Sequence, residues 1–213
     1  MAIYRYERDP EAIYRQSFAK IEAEADLRRF PASLRPLALR LVHAAGMPEI
    51  LADLAFTPDL ADAARAAIAA GGAVVTDSAM TAAGIMRRYL ARPDQLVGAL
   101  GLAGVAEHAR KIENTRSAAA IELVGDRLDG AVVAIGNAPT ALFRLLELME
   151  LDGYRPAAIL AFPVGFVGAA ESKEALIDAD LGVPYVTLRG RRGGSALAAA
   201  AVNALLIAEE PDA

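Results

Sequence analysis

The rhythm of apolar and polar positions changes near residue 72. Before it, apolar residues recur at helical spacing, with start and stop signals around them. Asp9 can cap a helix that carries Pro10 in its first turn and runs to about Arg29. Ser33 can cap a second helix that stops at Gly46, and Thr57-Pro58-Asp59 opens a third that stops at Gly71. After residue 72, short apolar runs read as buried strands: AVVT (73–76), LVGAL (96–100), AVVAI (131–135), AAILAF (157–162) and YVTL (185–188). Helix-like stretches follow them, around 79–90, 105–125, 139–150, 169–179 and 195–208. Strand and helix in alternation imply right-handed crossovers and a parallel sheet covered on both faces. The expected fold is one doubly wound α/β domain over 1–213 with about five parallel strands; residues 1–71 are mainly helical and residues 72–208 alternate.

In such a sheet, ligands bind beyond the carboxyl ends of the strands. The residues expected there are Thr76-Asp77-Ser78, Gly101, Gly136-Asn137-Ala138-Pro139-Thr140, Pro163 to Phe166, and Arg189 to Ser195. Most are small or polar, so backbone N–H groups and helix N-termini can approach an anion there. None of these loops is a nucleotide motif. GFVGAAESK (165–173) lacks the Gly-Lys-Ser/Thr of a phosphate loop, GNAPT (136–140) is not G-x-G-x-x-G, and RGRRGGS (189–195) carries no dinucleotide fingerprint. Each alone fits an ordinary turn; the three together at strand ends fit a ligand site.

Composition narrows the chemistry. The chain has no cysteine, which excludes disulfides, thiolate nucleophiles and thiolate metal sites. Two histidines, His43 and His108, make a His-rich metal centre improbable, so no metal or cofactor is expected. A net charge of −5, no Trp and 6% aromatics argue against a nucleic-acid partner. An anionic ligand would have to be met by local arginines. No apolar run reaches the roughly 18 residues of a membrane span. The start, MAIYRYERDP, is charged rather than signal-like, so a cytoplasmic location is expected.

His43 lies in SLRPLALRLVHAAG (33–46), opposite the stripe formed by Leu34, Leu37, Ala38, Leu41 and Ala45, and Arg40 shares its side. Position alone leaves two readings. One is a surface His beside a surface Arg; the other is a proton carrier beside a carboxylate-binding cation. Arg116 follows Asn114 and Thr115, either of which can cap the next helix. A cation in a first turn opposes the helix dipole, so Arg116 is either solvated or meets an anionic ligand. His108, in VAEHARK (105–111), reads as a solvated helix residue. Glu147 and Glu150 read as helix-surface charge, and no Ser-His-Asp triad can be assembled from spacing.

Several strings together resemble one family, the CobH/CbiC precorrin-8X methylmutases. They are IYRQSFAKIEAEADLRRF (13–30), LVHAAGM (41–47), NTRSAAA (114–120), AIGNAPTALFRLLELM (134–149), PVGFVGAAESK (163–173) and RGGSALAAAAVNAL (192–205). They follow the family's order over most of the chain. VTDSAMTAAGI (75–85) departs from the pattern at Ser78 and Thr81. The resemblance implies a cofactor-free isomerase of cobalamin biosynthesis. Its substrate would be precorrin-8X, a ring-contracted tetrapyrrole bearing acetate and propionate carboxylates. A methyl group would move from carbon 11 to carbon 12, giving hydrogenobyrinate. Carried over to matching positions, His43 is the proton donor/acceptor, Ser17 and Arg40 contact substrate, and Arg116 and Asn137 belong to the pocket. A homodimer is implied, with the N-terminal helical segment as lid or dimer element. Two alternatives stay open: the cobalt-precorrin-8 methylmutase of the anaerobic branch, and a corrin carrier without chemistry.

Overall fold

A computed structural model describes residues 3–207; positions 1–2 and 208–213 of the expected domain, and with them the end of the 195–208 stretch, lie outside the described residues. One six-stranded sheet organises the chain. Its strands are β1 (Leu54–Phe56), β2 (Val74–Thr76), β3 (Leu96–Gly98), β4 (Val132–Ile135), β5 (Ala158–Ala161) and β6 (Tyr185–Leu188), in the order β1-β6-β5-β4-β2-β3. Strands β2 to β6, the five expected, run parallel to one another. The sixth, β1, runs antiparallel along β6, with Leu54 opposite Leu188. Three residues carry no readable period, and the pairing partner is remote in sequence, so β1 is legible only in the fold.

Alternate residues of the strands feed two cores. Val74, Val132, Ala134, Leu160 and Val186 point to one face, which is covered by α2 (Arg35–Ala45), α3 (Leu60–Ala69), α4 (Ala79–Gly84) and α9 (Ser195–Leu206). Val75, Val133, Ile135, Ile159 and Ala161 point to the other, covered by α5 (Val105–Lys111), α6 (Arg116–Val124), α7 (Pro139–Leu151) and α8 (Ala169–Asp178). Strands buried on both faces read as continuous apolar runs, which is why they were visible in the sequence.

Four helix boundaries differ from expectation. Helix α1 (Pro10–Glu24) starts where Asp9 caps Glu11 N but ends before Arg29. Asp26 instead binds the backbone N–H and guanidinium of Arg28, and Arg29 turns away to the carbonyls of Leu51, Ala52 and Leu54. Ser33 caps nothing: a 3-10 turn, Ala32–Leu34, leads into α2, so the hydroxyl sits one position too early. The expected 105–125 helix is two, because Glu113 adopts a φ of 50° and Thr115 starts α6 afresh by accepting from Ala118 N at 3.1 Å. The 79–90 helix likewise stops at Gly84, where the Asn203 side chain takes the Met86 N–H and donates to the Gly84 carbonyl. Gly46 ends α2 in the left-handed conformation, φ 66°, as its lack of a side chain allows.

The strand order reverses between β2 and β4, since the chain leaves β2 for β3 and returns on the other side. The crevice for a ligand therefore opens where β2 and β4 end. Thr76-Asp77-Ser78 and Gly136-Asn137-Ala138 form its lips.

Candidate active site

At the crevice, Asp77 has no surface exposure. Its two carboxylate oxygens accept from the backbone N–H groups of Gly136, Asn137 and Ala138 at 2.7–2.9 Å. Burial pushes the Asp77 carboxyl up from its ordinary range, and these N–H bonds pull it back toward the ionised form. The result is a fixed loop that turns the Asn137 side chain outward and delivers Pro139 to the first turn of α7. Beside it, Ser78 Oγ caps α4 through Thr81 N and joins Thr81 Oγ1 at 2.9 Å and Ser195 Oγ at 3.1 Å. Ser78 and Thr81 thus form one buried hydroxyl cluster with the start of α9. Gly136 packs so closely that a side chain there would collide with Thr81 Oγ1, Ser195 and Ala198.

Arg116 is the first residue of α6 and exposed, with no ion pair among the described residues. Thr115 and Thr140 share a hydrogen bond of 2.7 Å, which holds the entrances of α6 and α7 together. Arg116 and Asn137 therefore stand on adjoining helix entrances, where N–H groups and a cation face the same solvent.

A second group forms between α1 and α2. Leu37, Ala38, Leu41 and Val42 bury one face of α2 and leave His43 exposed in its last turn. Ser17 Oγ lies 3.0 Å from His43 Nδ1, and the Phe18 ring stacks on the imidazole at 5.2 Å and 15°. Arg40 lies over the other end of this aromatic row, 5.9 Å from the Phe18 centroid, and donates to the Tyr14 hydroxyl at 3.2 Å. The structure thus brings Ser17, Arg40 and His43 together, and sets Arg116 and Asn137 apart from them. From the His43 group the chain leaves α2 at Gly46 and reaches the carboxyl end of β6 at Asp53, which pairs with Arg192.

Three residues of this neighbourhood had signals that sequence reading did not use. Tyr14 and Phe18 are one helical turn apart on α1 and frame Ser17. Asp77 is a charge placed directly after a buried strand, a place where only a local hydrogen-bonding duty keeps a carboxylate. His108 needs correcting. It is not solvated but half-buried, with Nε2 3.0 Å from Glu122 Oε1, while Arg144 holds the other Glu122 oxygen at 2.7 Å and also pairs with Glu147.

Comparison with known proteins agrees with this architecture. The family model CbiC, precorrin-8X methylmutase, matches residues 12–208. The chain is 54% identical to a precorrin-8X methylmutase of Pseudomonas aeruginosa, over 96% of its length and 99% of the relative's. It is 51% identical to one from a Sinorhizobium species, over 96% and 98%. A crystal structure of the precorrin-8X methylmutase of Thermus thermophilus superposes with a TM-score of 0.82 at 37% identity, covering 92% of this chain and 94% of that one. Among the described residues, no helix is long and apolar enough to cross a membrane.

Proposed function

Since the chain belongs to the family of precorrin-8X methylmutases, isomerases of cobalamin biosynthesis, we propose that it moves the methyl group of precorrin-8X from carbon 11 to carbon 12 with His43 as the proton donor/acceptor. The observation that carries this is the Ser17 Oγ···His43 Nδ1 hydrogen bond at 3.0 Å. A hydroxyl can accept from an Nδ1–H. It does so whether the ring is a cation or has lost its proton from Nε2. Nε2, which makes no hydrogen bond among the described residues, is then the nitrogen that exchanges a proton with the macrocycle.

A 1,5-sigmatropic shift forms the bond at carbon 12 as it breaks the one at carbon 11, and needs no nucleophile from the protein. The residues have to hold the ring and set its protonation state. Ser17 fixes the imidazole, while Arg40, Arg116, Asn137 and the N-termini of α6 and α7 meet the acetate and propionate groups. Both relatives above are named for precorrin-8X, which favours the metal-free substrate over its cobalt analogue. The enzyme works as a cytoplasmic homodimer. Exposed Ile3, Tyr4, Tyr6, Ile13 and Tyr14 offer the apolar surface a second copy would cover.

Incubation with precorrin-8X, followed in the visible spectrum, tests this. Conversion to the hydrogenobyrinate spectrum is expected. Saturable binding with an unchanged substrate spectrum would mean a carrier instead.

A further inference from the structure

The β5–α8 loop, residues 162–168, lies at the carboxyl end of the sheet and has an unusual tip. Phe166 is 86% exposed and Val167 88%, with Val164 beside them at 41%. Water-facing apolar side chains on a slack loop would mean little, but this loop is held. Gly194 N donates to the Phe162 carbonyl at 2.8 Å, and Gly165 N to the Arg191 carbonyl at 3.2 Å. From beneath, the buried Lys173 ammonium donates to the Arg192 carbonyl at 2.7 Å. The loop is therefore tied to its neighbour, residues 189–194, which carries three arginines. Arg189 pairs with Glu174 and Arg192 with Asp53. Arg191, between them, pairs with no carboxylate among the described residues; its guanidinium lies 5.2 Å from the centre of the Phe166 ring.

We propose that Phe166 and Arg191 form a substrate seat: the ring and its valine neighbours lie against the apolar periphery of the macrocycle, and Arg191 binds one of its carboxylates. The seat rests on the function proposed above and names specificity residues for it. An aromatic ring with a cation over one face matches a ligand that is apolar across its ring and anionic at its edge, the ligand taking the free face and the cation its carboxylate. Arginine presents a fork suited to a carboxylate. The tethered loops hold both groups ready before the ligand arrives, which reduces the ordering entropy of binding.

The test is a titration with hydrogenobyrinate, read by its visible spectrum, on wild type, Phe166→Ala, Phe166→Leu, Arg191→Ala and the double alanine variant. Because both side chains face solvent, these variants should fold. Wild type should saturate. Phe166→Ala and Arg191→Ala should each raise Kd about 10- to 100-fold, Phe166→Leu should recover part of the loss, and the double variant should lose less than the product of the two, since the groups touch. Wild-type binding with unchanged Kd in both alanine variants would overturn the seat and leave the methylmutase reading intact. Variants that dissociate a dimer in sedimentation while keeping their Kd would also overturn it, and would assign the tip to a second copy. A wild type that does not bind would overturn both.

Discussion

Asp77 and His43 anchor two separate groups of candidate residues, a strand-end wall and a helical wall, and they are held in opposite ways. The strand-end wall is locked from below. Asp77 fixes three consecutive N–H groups, Ser78, Thr81 and Ser195 share hydrogen bonds out of water, and Lys173 ties down the arginine loop. The helical wall is held lightly. Ile21 is the one buried side chain of α1, and the contacts that bring Ser17, Phe18 and Tyr14 to His43 and Arg40 lie at the surface. Binding needs fixed donors, because a flexible site spends affinity on ordering itself. A proton carrier needs access to the ring and to water, and elements with few buried contacts open most easily. On the function proposed above, the difference between the walls follows a division of labour: one recognises carboxylates through fixed donors, and the other moves a proton beside a single carboxylate-binding cation, Arg40.

The largest effect should come from His43→Ala, which breaks the helical wall alone. A general acid/base contributes about 10²- to 10⁴-fold in rate, so turnover of precorrin-8X should fall by that much. The residue is exposed and fills no core volume, so the circular dichroism spectrum should stay that of wild type. Hydrogenobyrinate should still bind, because the strand-end wall is untouched. A folded variant that converts substrate within a few-fold of wild type would remove the division of labour. His108→Ala cannot serve as a neutral control, because the half-buried ring sits against the Glu122–Arg144 pair and its removal would open a gap there.

Next in size are Arg40→Ala and Arg116→Ala, one cation from each wall. A charge-assisted hydrogen bond contributes roughly 1.5–3 kcal/mol, so each should cost about 10- to 100-fold in hydrogenobyrinate affinity. The walls should differ in how lysine substitutes. Arg40→Lys also gives up the contacts of its guanidinium with Tyr14 and the Phe18 ring, so it should recover less than Arg116→Lys, which has no such contacts. Titrations of the four variants decide it. Equal recovery would mean that the helical wall binds as the other does, and wild-type affinity in both alanine variants would put the carboxylates elsewhere.

The two walls also differed in how much of them the sequence disclosed. Five parallel strands were plain, since VVAI and AILA are apolar throughout and bounded by turns; the loops after them were therefore placed correctly at the carboxyl edge. Arg40 and His43 could be set on one helix side from a period of 3.6. Ser17 is different: twenty-six positions separate it from His43, and no local pattern announces that hydrogen bond, so family likeness alone named it. Asp77 could be placed at the strand end, but its bonds to Gly136, Asn137 and Ala138 stayed hidden, as did the clamp made by Lys173 and the antiparallel β1. Their partners are the backbone of distant segments, and the type of the partner residue does not announce them. Caps were legible where the side chain starts the helix, as Asp9 does, and misread at Ser33, where a 3-10 turn supplies the winding first.

The smallest effect should come from Lys173, the clamp of the locked wall. Burial brings its ammonium down from 10.5 to about 8. The unfolded chain keeps this proton up to about pH 10.4, whereas the folded chain releases it from about pH 8. Between those values the unfolded state binds more protons, so this group makes stability rise with pH across that window and contributes no slope below it. Lys173→Met removes the titration and also the donor to the Arg192 carbonyl. Wild type should therefore gain on the variant between pH 8 and 9.5 by on the order of 1 kcal/mol, a few degrees in the midpoint of thermal melting. At pH 7 the variant should bind hydrogenobyrinate a few-fold more weakly, through a looser arginine loop, while its bound substrate still turns over near the wild-type rate, since His43 is on the other wall. A neutral amine can still donate to a carbonyl, so wild-type affinity should not collapse at pH 9 on account of this residue. Parallel melting curves for the two proteins from pH 7 to 9.5 would show that Lys173 is solvated when charged, and the strand-end wall would then be no more firmly held than the helical one.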